Sequence, residues 1–236
     1  MLEVKNLKVK RGNFNLNIDK FYLKPGSINL VLGPNGGGKT TLLKSLAGLI
    51  DYRGEISLEG KKLDDINFKD RAKIFGYLSQ GIYLSELFVR DFLILGRFPY
   101  TSLMSRYTKS DWDKVYKASE IFDLGEYLYR DVTTLSQGEL QRVMLAKVFV
   151  QEPDILLLDE PTTALDIGFK ELVKKQIYKY LELRPESIVV ISTHEPSVFM
   201  DKTDMVLMLK HGKVFGFGEK NKVYNEANIK KLFNLS

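Results

Sequence analysis

Ile28-Asn29-Leu30-Val31-Leu32-Gly33-Pro34-Asn35-Gly36-Gly37-Gly38-Lys39-Thr40-Thr41-Leu42-Leu43 is the stretch that decides the architecture of this chain. An apolar run meets a glycine-dense segment of the form G-x-x-x-x-G-K-[ST], and an amphipathic run through Leu42, Leu43, Leu46 and Ala47 follows. Strand, tight loop and helix are predicted in that order. Glycines let the backbone come close to a ligand, and the N–H groups opening the helix converge on an anion. Lys39 supplies a point positive charge to the β and γ phosphates, and the Thr40 hydroxyl is placed to hold magnesium. Gly33, Pro34, Asn35, Gly36, Gly37, Gly38, Lys39, Thr40 and Thr41 are therefore expected to bind ATP with Mg2+.

Outward from this loop, Ile74 to Leu78, Ile155 to Leu158 and Ile188 to Ser192 repeat the pattern of short buried strands separated by amphipathic stretches. That is the sequence of an α/β protein with a largely parallel sheet. Leu2 to Val9, Phe14 to Ile18 and Gly54 to Gly60 alternate apolar and polar residues, as half-buried antiparallel strands do. From about Leu84 to Gln151 the spacing becomes helical, with Ser110 and Asp113 predicted as the N-cap pair before Val115, Ala118, Ile121 and Phe122. After Asp201 two strands, Met205 to Leu209 and Val214 to Phe217, flank a Lys-His-Gly-Lys turn, and a short helix closes the chain. The expected fold is an α/β P-loop NTPase core with a mixed, largely parallel sheet, an N-terminal antiparallel β subdomain and an inserted helical subdomain. One domain spans 1–236, with 1–83 and 152–236 as core and 84–151 as the helical part.

Composition narrows the setting. With no cysteine, disulfides and thiolate metal sites are excluded and a reducing interior is expected. No signal segment is expected from Met1-Leu2-Glu3-Val4-Lys5, which shows no apolar core behind a basic start, and no apolar run in the sequence is long enough to span a membrane. The 35 basic and 30 acidic residues are interspersed, so the net charge of +5 is expected to be a solvated surface, with no nucleic acid as partner.

A second group of chemistry-bearing residues lies at strand ends. Ile155-Leu156-Leu157-Leu158 runs into Asp159-Glu160 at the carboxyl edge, where open parallel sheets bind ligands. Asp159 is the natural partner for magnesium, and Glu160 is placed to polarise an attacking water as general base. His194 follows the next such strand and is expected to donate to the γ-phosphate. His211, in the Lys-His-Gly-Lys turn, is read as a surface residue. Ser136 and Glu139 make a capping-box pair opening the helix of Leu140, Val143, Met144 and Ala146 to Val148, a second ready anion site.

With Leu135-Ser136-Gln137-Gly138-Glu139-Leu140-Gln141-Arg142 the chain resembles the ATP-binding cassette family, the nucleotide-binding subunits of ABC transporters. The order of parts is similar throughout: phosphate loop, Gln80 after Tyr77-Leu78-Ser79, the serine segment, Asp159-Glu160, Ala164-Leu165-Asp166, then His194. The resemblance implies a Mg-dependent ATPase working as a head-to-tail pair of identical chains. Ser136 and Gly138 of one copy would meet the γ-phosphate held by the other. Gln80 would contact magnesium and the attacking water, and Asp166 would lie across the seam. Two positions depart from the family pattern, Gln137 in place of glycine and Glu139 in place of glutamine. Backbone contacts to phosphate are expected to survive both, with Glu139 facing ribose hydroxyls or its own helix cap. The adenine-stacking aromatic is missing where Lys10-Arg11-Gly12 stands; Arg11 stacking through its guanidinium plane, or a shift of Phe14, is expected instead.

Leu95-Gly96-Arg97-Phe98-Pro99-Tyr100 resembles a segment of importer ATPases for iron(III) siderophores, haem and cobalamin, although a helix ended by Gly96 and Pro99 explains the same residues. Ile82-Tyr83-Leu84 with Leu87-Phe88-Val89 forms either a groove for a partner's coupling helix or subdomain core. The expected partners are a second copy, a polytopic membrane permease and, indirectly, a solute-binding protein, at the cytoplasmic face of the membrane. The competing reading is a soluble cassette acting as an ATP-gated interaction module.

Overall fold

The computed structural model describes residues 1–79, 86–101 and 106–235. Gln80 and Ile82-Tyr83-Leu84 fall outside them. Two long strands, β1 (Leu2–Arg11) and β2 (Phe14–Leu23), lead into β3 (Ile28–Leu32), and the phosphate loop opens helix α1 (Lys39–Leu46). Then come β4 (Arg53–Leu58), β5 (Lys61–Lys62), α2 (Phe68–Ile74) and β6 (Phe75–Leu78). The helical stretch contains α3 (Val89–Ile94), α4 (Lys109–Ile121) and α5 (Gln137–Gln151). The chain returns through β7 (Ile155–Asp159), α6 (Ile167–Leu183), β8 (Ile188–Ser192), β9 (Met205–Lys210) and β10 (Lys213–Glu219), and ends in α7 (Lys220–Val223) and α8 (Glu226–Phe233).

Among the described residues ten strands form one sheet, ordered β5-β4-β1-β2-β10-β9-β3-β8-β7-β6. The half from β9 to β6 is parallel through β3, β8 and β7. Strand β10 pairs antiparallel with β9 at the edge of that half, and β5, β4, β1 and β2, antiparallel to one another, join β10 at a single parallel bridge, Lys213 to Asn17. The alternating N-terminal strands thus continue the parallel sheet edge to edge. Largely apolar strands are what a sheet covered on both faces requires. Leu30, Leu32, Leu156, Leu158, Val189 and Ile191 point to one core with the helices from α3 to α6, while Val31, Leu157 and Val190 point to another with α1, β1 and β2. Each of these side chains is at most 1% exposed, and full burial of such a residue contributes about 1.5–3 kcal/mol. The sheet therefore holds the carboxyl ends of β3, β7 and β8 in fixed register beside one another.

In the helical stretch the structure corrects two expectations. Helix α4 is capped two residues earlier than Ser110: Asp111 N donates to the Thr108 hydroxyl at 3.2 Å, and the Asp111 carboxylate takes the Thr108 N–H at 2.9 Å. Gly96 and Pro99 do not stop the chain's winding, because Leu95–Tyr100 continues α3 as a 3₁₀ turn. Gly96 lies so close to α5 that a Cβ there would sit 2.7 Å from the Lys147 carbonyl. That approach carries Arg97 inward. Its Nε donates to Asp111 at 2.9 Å, and its Nη1 donates to the Val150 and Gln151 carbonyls at 3.1 and 3.2 Å, groups that the end of α5 leaves without partners. Burial pushes the Asp111 carboxyl up, but the Thr108 hydroxyl and N–H and the Arg97 guanidinium together hold it below the usual carboxylate range. Among the described residues no helix is long and apolar enough to cross a membrane.

Candidate functional site

The loop from Gly33 to Gly38 wraps over the end of β3. Gly37 N–H closes it on the Pro34 carbonyl at 3.0 Å, and Leu42 N–H takes Gly38 O at 2.9 Å as the first bond of α1. The N–H groups of Gly36, Gly38, Lys39 and Thr40 have no backbone acceptor among the described residues. Orphan donors of this kind at a helix start are what an anion satisfies. Lys39 is 6% exposed and donates to the Gly33 and Pro34 carbonyls at 2.9 and 3.4 Å, folded back along the loop. Burial holds its ammonium below the usual lysine range against the pull of Glu160 and Asp159. The cleft over the loop is lined by Arg11, Phe14, Asn35 to Thr41 and Glu160. Phe14 packs beneath Gly38, whose Cβ would lie 3.1 Å from the ring, whereas Arg11 is exposed at the rim.

The parallel register brings the acids to the same place. Asp159 is opposite Ser192, and the Ser192 hydroxyl donates to its carboxylate. Tyr77, on neighbouring β6, donates to the other carboxylate oxygen at 3.4 Å. Asp159 is 1% exposed, and burial, with Asp159 nearby, pushes the Tyr77 hydroxyl up, so it remains a donor. Glu160 follows in the left-handed region at φ 52°, a conformation costly for a non-glycine residue, with its N–H given to Ser192 O at 3.0 Å. That bend turns its carboxylate to His194, whose Nε2 lies 2.7 Å from Oε1. With Nε2–H donating there, Nε2 has no lone pair for the Lys39 ammonium 3.5 Å away, and Lys39 keeps its carbonyl partners.

The serine segment stands apart from this cleft, since neither Ser136 nor Glu139 lines it. Both arms of the capping box are made: Ser136 N–H donates to Glu139 at 2.7 Å and Glu139 N–H to the Ser136 hydroxyl at 3.3 Å. The Ser136 N–H and hydroxyl hold the Glu139 carboxyl below the usual range. The carboxylate is thus committed to the cap, one of the two places expected for it. Gly138 approaches the loop after β7, where a Cβ would lie 3.1 Å from Ala164 O. In that loop Asp166 caps α6 by accepting the Phe169 N–H at 2.9 Å.

Three participants escape a reading of the sequence. Ser192 and Tyr77 orient Asp159 across neighbouring strands, which only the register reveals. Gln141 donates to the carbonyls of Glu160 and Pro161 at 3.4 and 3.1 Å, tying α5 to the acidic turn. No local signal marks it.

A phosphate loop, a buried carboxylate at the adjoining strand end and a capped helix outside the cleft define a P-loop nucleotide-binding protein with an accessory signature helix. Comparison with known proteins narrows the class. The profile of the ABC transporter family matches residues 16–163. An uncharacterised ABC transporter ATP-binding protein of Methanocaldococcus jannaschii is 31% identical over 100% of this chain and 82% of its own length. A probable iron chelatin transport ATP-binding protein of Helicobacter pylori is 34% identical over 91% of this chain and 86% of its own. The petrobactin import ATP-binding protein FpuD of Bacillus anthracis is 30% identical over 99% and 86%. Among solved structures, a putative metal-chelate type ABC transporter in an inward-facing conformation superposes with a TM-score of 0.79 at 27% identity, covering 99% of this chain and 88% of that one. A dimeric ATP-binding cassette in a post-hydrolysis state, bound to ADP and Pi, gives 0.79 at 26% identity, covering 93% and 98%. The chain belongs to the ABC transporter family, as one of its ATP-binding subunits.

Proposed function

We propose that this subunit hydrolyses Mg-ATP as a head-to-tail pair at the cytoplasmic face of a membrane, driving a permease that imports an iron(III) chelate or a related metal complex such as haem or cobalamin. The observation that carries the reading is the meeting of Lys39, Asp159, Glu160 and His194 around one phosphate cradle while the capped Ser136 lies outside it. A site so divided is half a site, and two copies related by a two-fold axis would complete each other.

The geometry supports roles for the residues it brings together, and the family resemblance supplies the rest. Gly36, Gly38, Lys39 and Thr40 present backbone N–H groups to phosphate oxygens, and the Lys39 side chain leaves two carbonyls to follow. Among the described residues no three His, Asp or Glu side chains form a metal cluster, so a divalent ion would take most of its ligands from phosphate and water. The Thr40 hydroxyl and the Asp159 carboxylate would hold magnesium, which when bound neutralises charge on the phosphate oxygens. Ser192 and Tyr77 keep the Asp159 carboxylate aimed. Glu160 accepts the proton of the attacking water, and His194, 2.7 Å away, keeps that carboxylate pointed at the cleft. Gln80 is assigned to the water and magnesium, Asp166 to the seam, Ser136 with Gly138 to the opposite copy's γ-phosphate, and Arg11 to adenine. The metal-chelate cargo is supported by the functions named for the Helicobacter and Bacillus relatives.

Steady-state ATPase measurements on Glu160→Gln test the core of this reading. Turnover is expected to fall by roughly a hundredfold or more, as loss of a general base implies, with ATP still bound. A variant that turns over like the unaltered protein rejects the assignment. Copurification with a polytopic membrane protein tests the partner.

A further inference from the structure

Gly212, in the turn between β9 and β10, touches the phosphate loop although the sequence marks that turn only as a surface hairpin. Its N–H donates to the Gly37 carbonyl at 3.1 Å, while its own carbonyl accepts Asn17 N–H at 2.7 Å. The turn is therefore pinned to β2 on one side and grips the loop on the other. Just before it, the Leu209 carbonyl is packed on the loop so tightly that a Cβ at Gly33 or Gly37 would lie 2.1 or 3.1 Å from it. Gly212 itself stands at φ 73°, and a Cβ there would lie 2.0 Å from the Asn15 carbonyl, so the position has no room for a side chain.

We infer that Gly212 is a positioning residue for nucleotide: its N–H fixes the Gly37–Gly38 peptide so that Gly38 N–H faces the phosphates. This rests on the nucleotide role proposed above. A trans peptide is planar, and its C=O and N–H point in opposite directions. With Gly37 O held toward the turn, Gly38 N–H is turned away from it, and that N–H has no backbone acceptor among the described residues. The neighbouring Gly37 N–H is already committed to Pro34 O. One hydrogen bond from outside the loop thus sets the direction of a donor inside it.

Titration calorimetry with ADP, and with inorganic tripolyphosphate as a ligand without base or ribose, tests the inference on Gly212→Ala. Gly60→Ala is the control, since Gly60 stands at φ 81° with nothing within 4 Å of its would-be Cβ, on a turn between β4 and β5. Alanine at Gly212 is expected to weaken both ligands by about tenfold or more, the scale of a misaligned hydrogen bond to a charged group, and alanine at Gly60 to leave both unchanged. Equal affinities in all three proteins, or equal losses in the two variants, overturn the inference. Should Gly212→Ala fail to fold, amide exchange in the unaltered protein decides. Gly212 N–H is expected to exchange at least about a hundredfold slower than in an unstructured peptide, and slower still with saturating ADP. Exchange at the peptide rate overturns the assignment. Unaltered protein that binds no ADP counts against the nucleotide reading, and the exchange rate then judges the turn alone.

Discussion

Lys39 is a cation kept where its charge is costly, which separates its contribution to function from its effect on stability. Among the described residues its ammonium donates to the Gly33 and Pro34 carbonyls, and burial lowers its affinity for a proton. A lysine whose folded pKa lies below its unfolded value binds fewer protons folded than unfolded between the two. Its penalty is then full below the folded pKa and is relieved as pH rises toward the unfolded one. Lys39→Met is therefore expected to melt at the same temperature as the parent or about 2–4 °C higher near neutral pH, the parent closing the gap as pH approaches the lysine range. ADP at a hundred times its dissociation constant should stabilise the parent by about 2.7 kcal/mol and the variant not at all. Thermal melts with and without ADP check both, and a variant that melts well below the parent without ligand contradicts the argument. Lys39, Asp159 and Glu160 were legible in the sequence because loop and strand-end chemistry is written in contiguous residues. Ser192 and Tyr77 were not, because the bonds that orient Asp159 cross from strand to strand.

Helix α4 shows where local signals stop being decisive. Thr108 with Asp111 and Ser110 with Asp113 both have the capping-box spacing, two residues out of step, and both precede an apolar helical pattern. Arg97 decides between them: its guanidinium meets Asp111 in the interior at 2.9 Å, so the register that turns Asp111 inward gains an ion pair. On α5 the same signal met no competitor, and the Ser136–Glu139 box formed as read. The Leu95–Tyr100 segment thus acquires a structural duty, joining α3 to α4 and to the open end of α5 through one side chain. The Arg97 and Asp111 side chains are 8% and 12% exposed, and removing one partner of a buried pair strands the other. Arg97→Ala is expected to lower unfolding stability by about 3 kcal/mol in urea titrations. Because the folded pKa of Asp111 is depressed, its contribution is present above the unfolded carboxylate value and lost as pH falls through the folded one. Parent and variant should therefore draw closer in strongly acid solution, keeping only the difference due to the Val150 and Gln151 carbonyls, and a loss that stays constant there would contradict the ion-pair account.

At the scale of the molecule, the sheet order accounts for the divided site on which the proposed pairing rests. The ends of β3, β7 and β8 gather the phosphate loop, Asp159, Glu160 and His194 on one cleft, while Gln141 ties the signature helix to the backbone of Glu160 and Pro161 from outside it. Ser136 is exposed, as are Asp166 and, beside it, Ile167 at 82%. In a two-fold pair each contact between unlike surfaces occurs twice, so a cleft facing a serine helix makes two equivalent sites. That geometry predicts complementation. Lys39→Ala breaks a site from the loop side and Ser136→Arg from the helix side, so each variant alone carries two damaged sites. Mixed in equal amounts, about half of the pairs are mixed, and each of these joins an intact loop to an intact helix in one of its two sites, restoring up to about a quarter of the parent ATPase rate if sites act independently. A single-chain site would leave the mixture at the mean of the two variants, because every chain would keep its own lesion. ATPase rates of the mixture across protein concentration, followed with sedimentation to count pairs of the 27.1 kDa chain, separate the outcomes. Activity that rises with the population of mixed pairs requires the nucleotide to lie between copies, and activity that never exceeds the mean places the whole reaction within one.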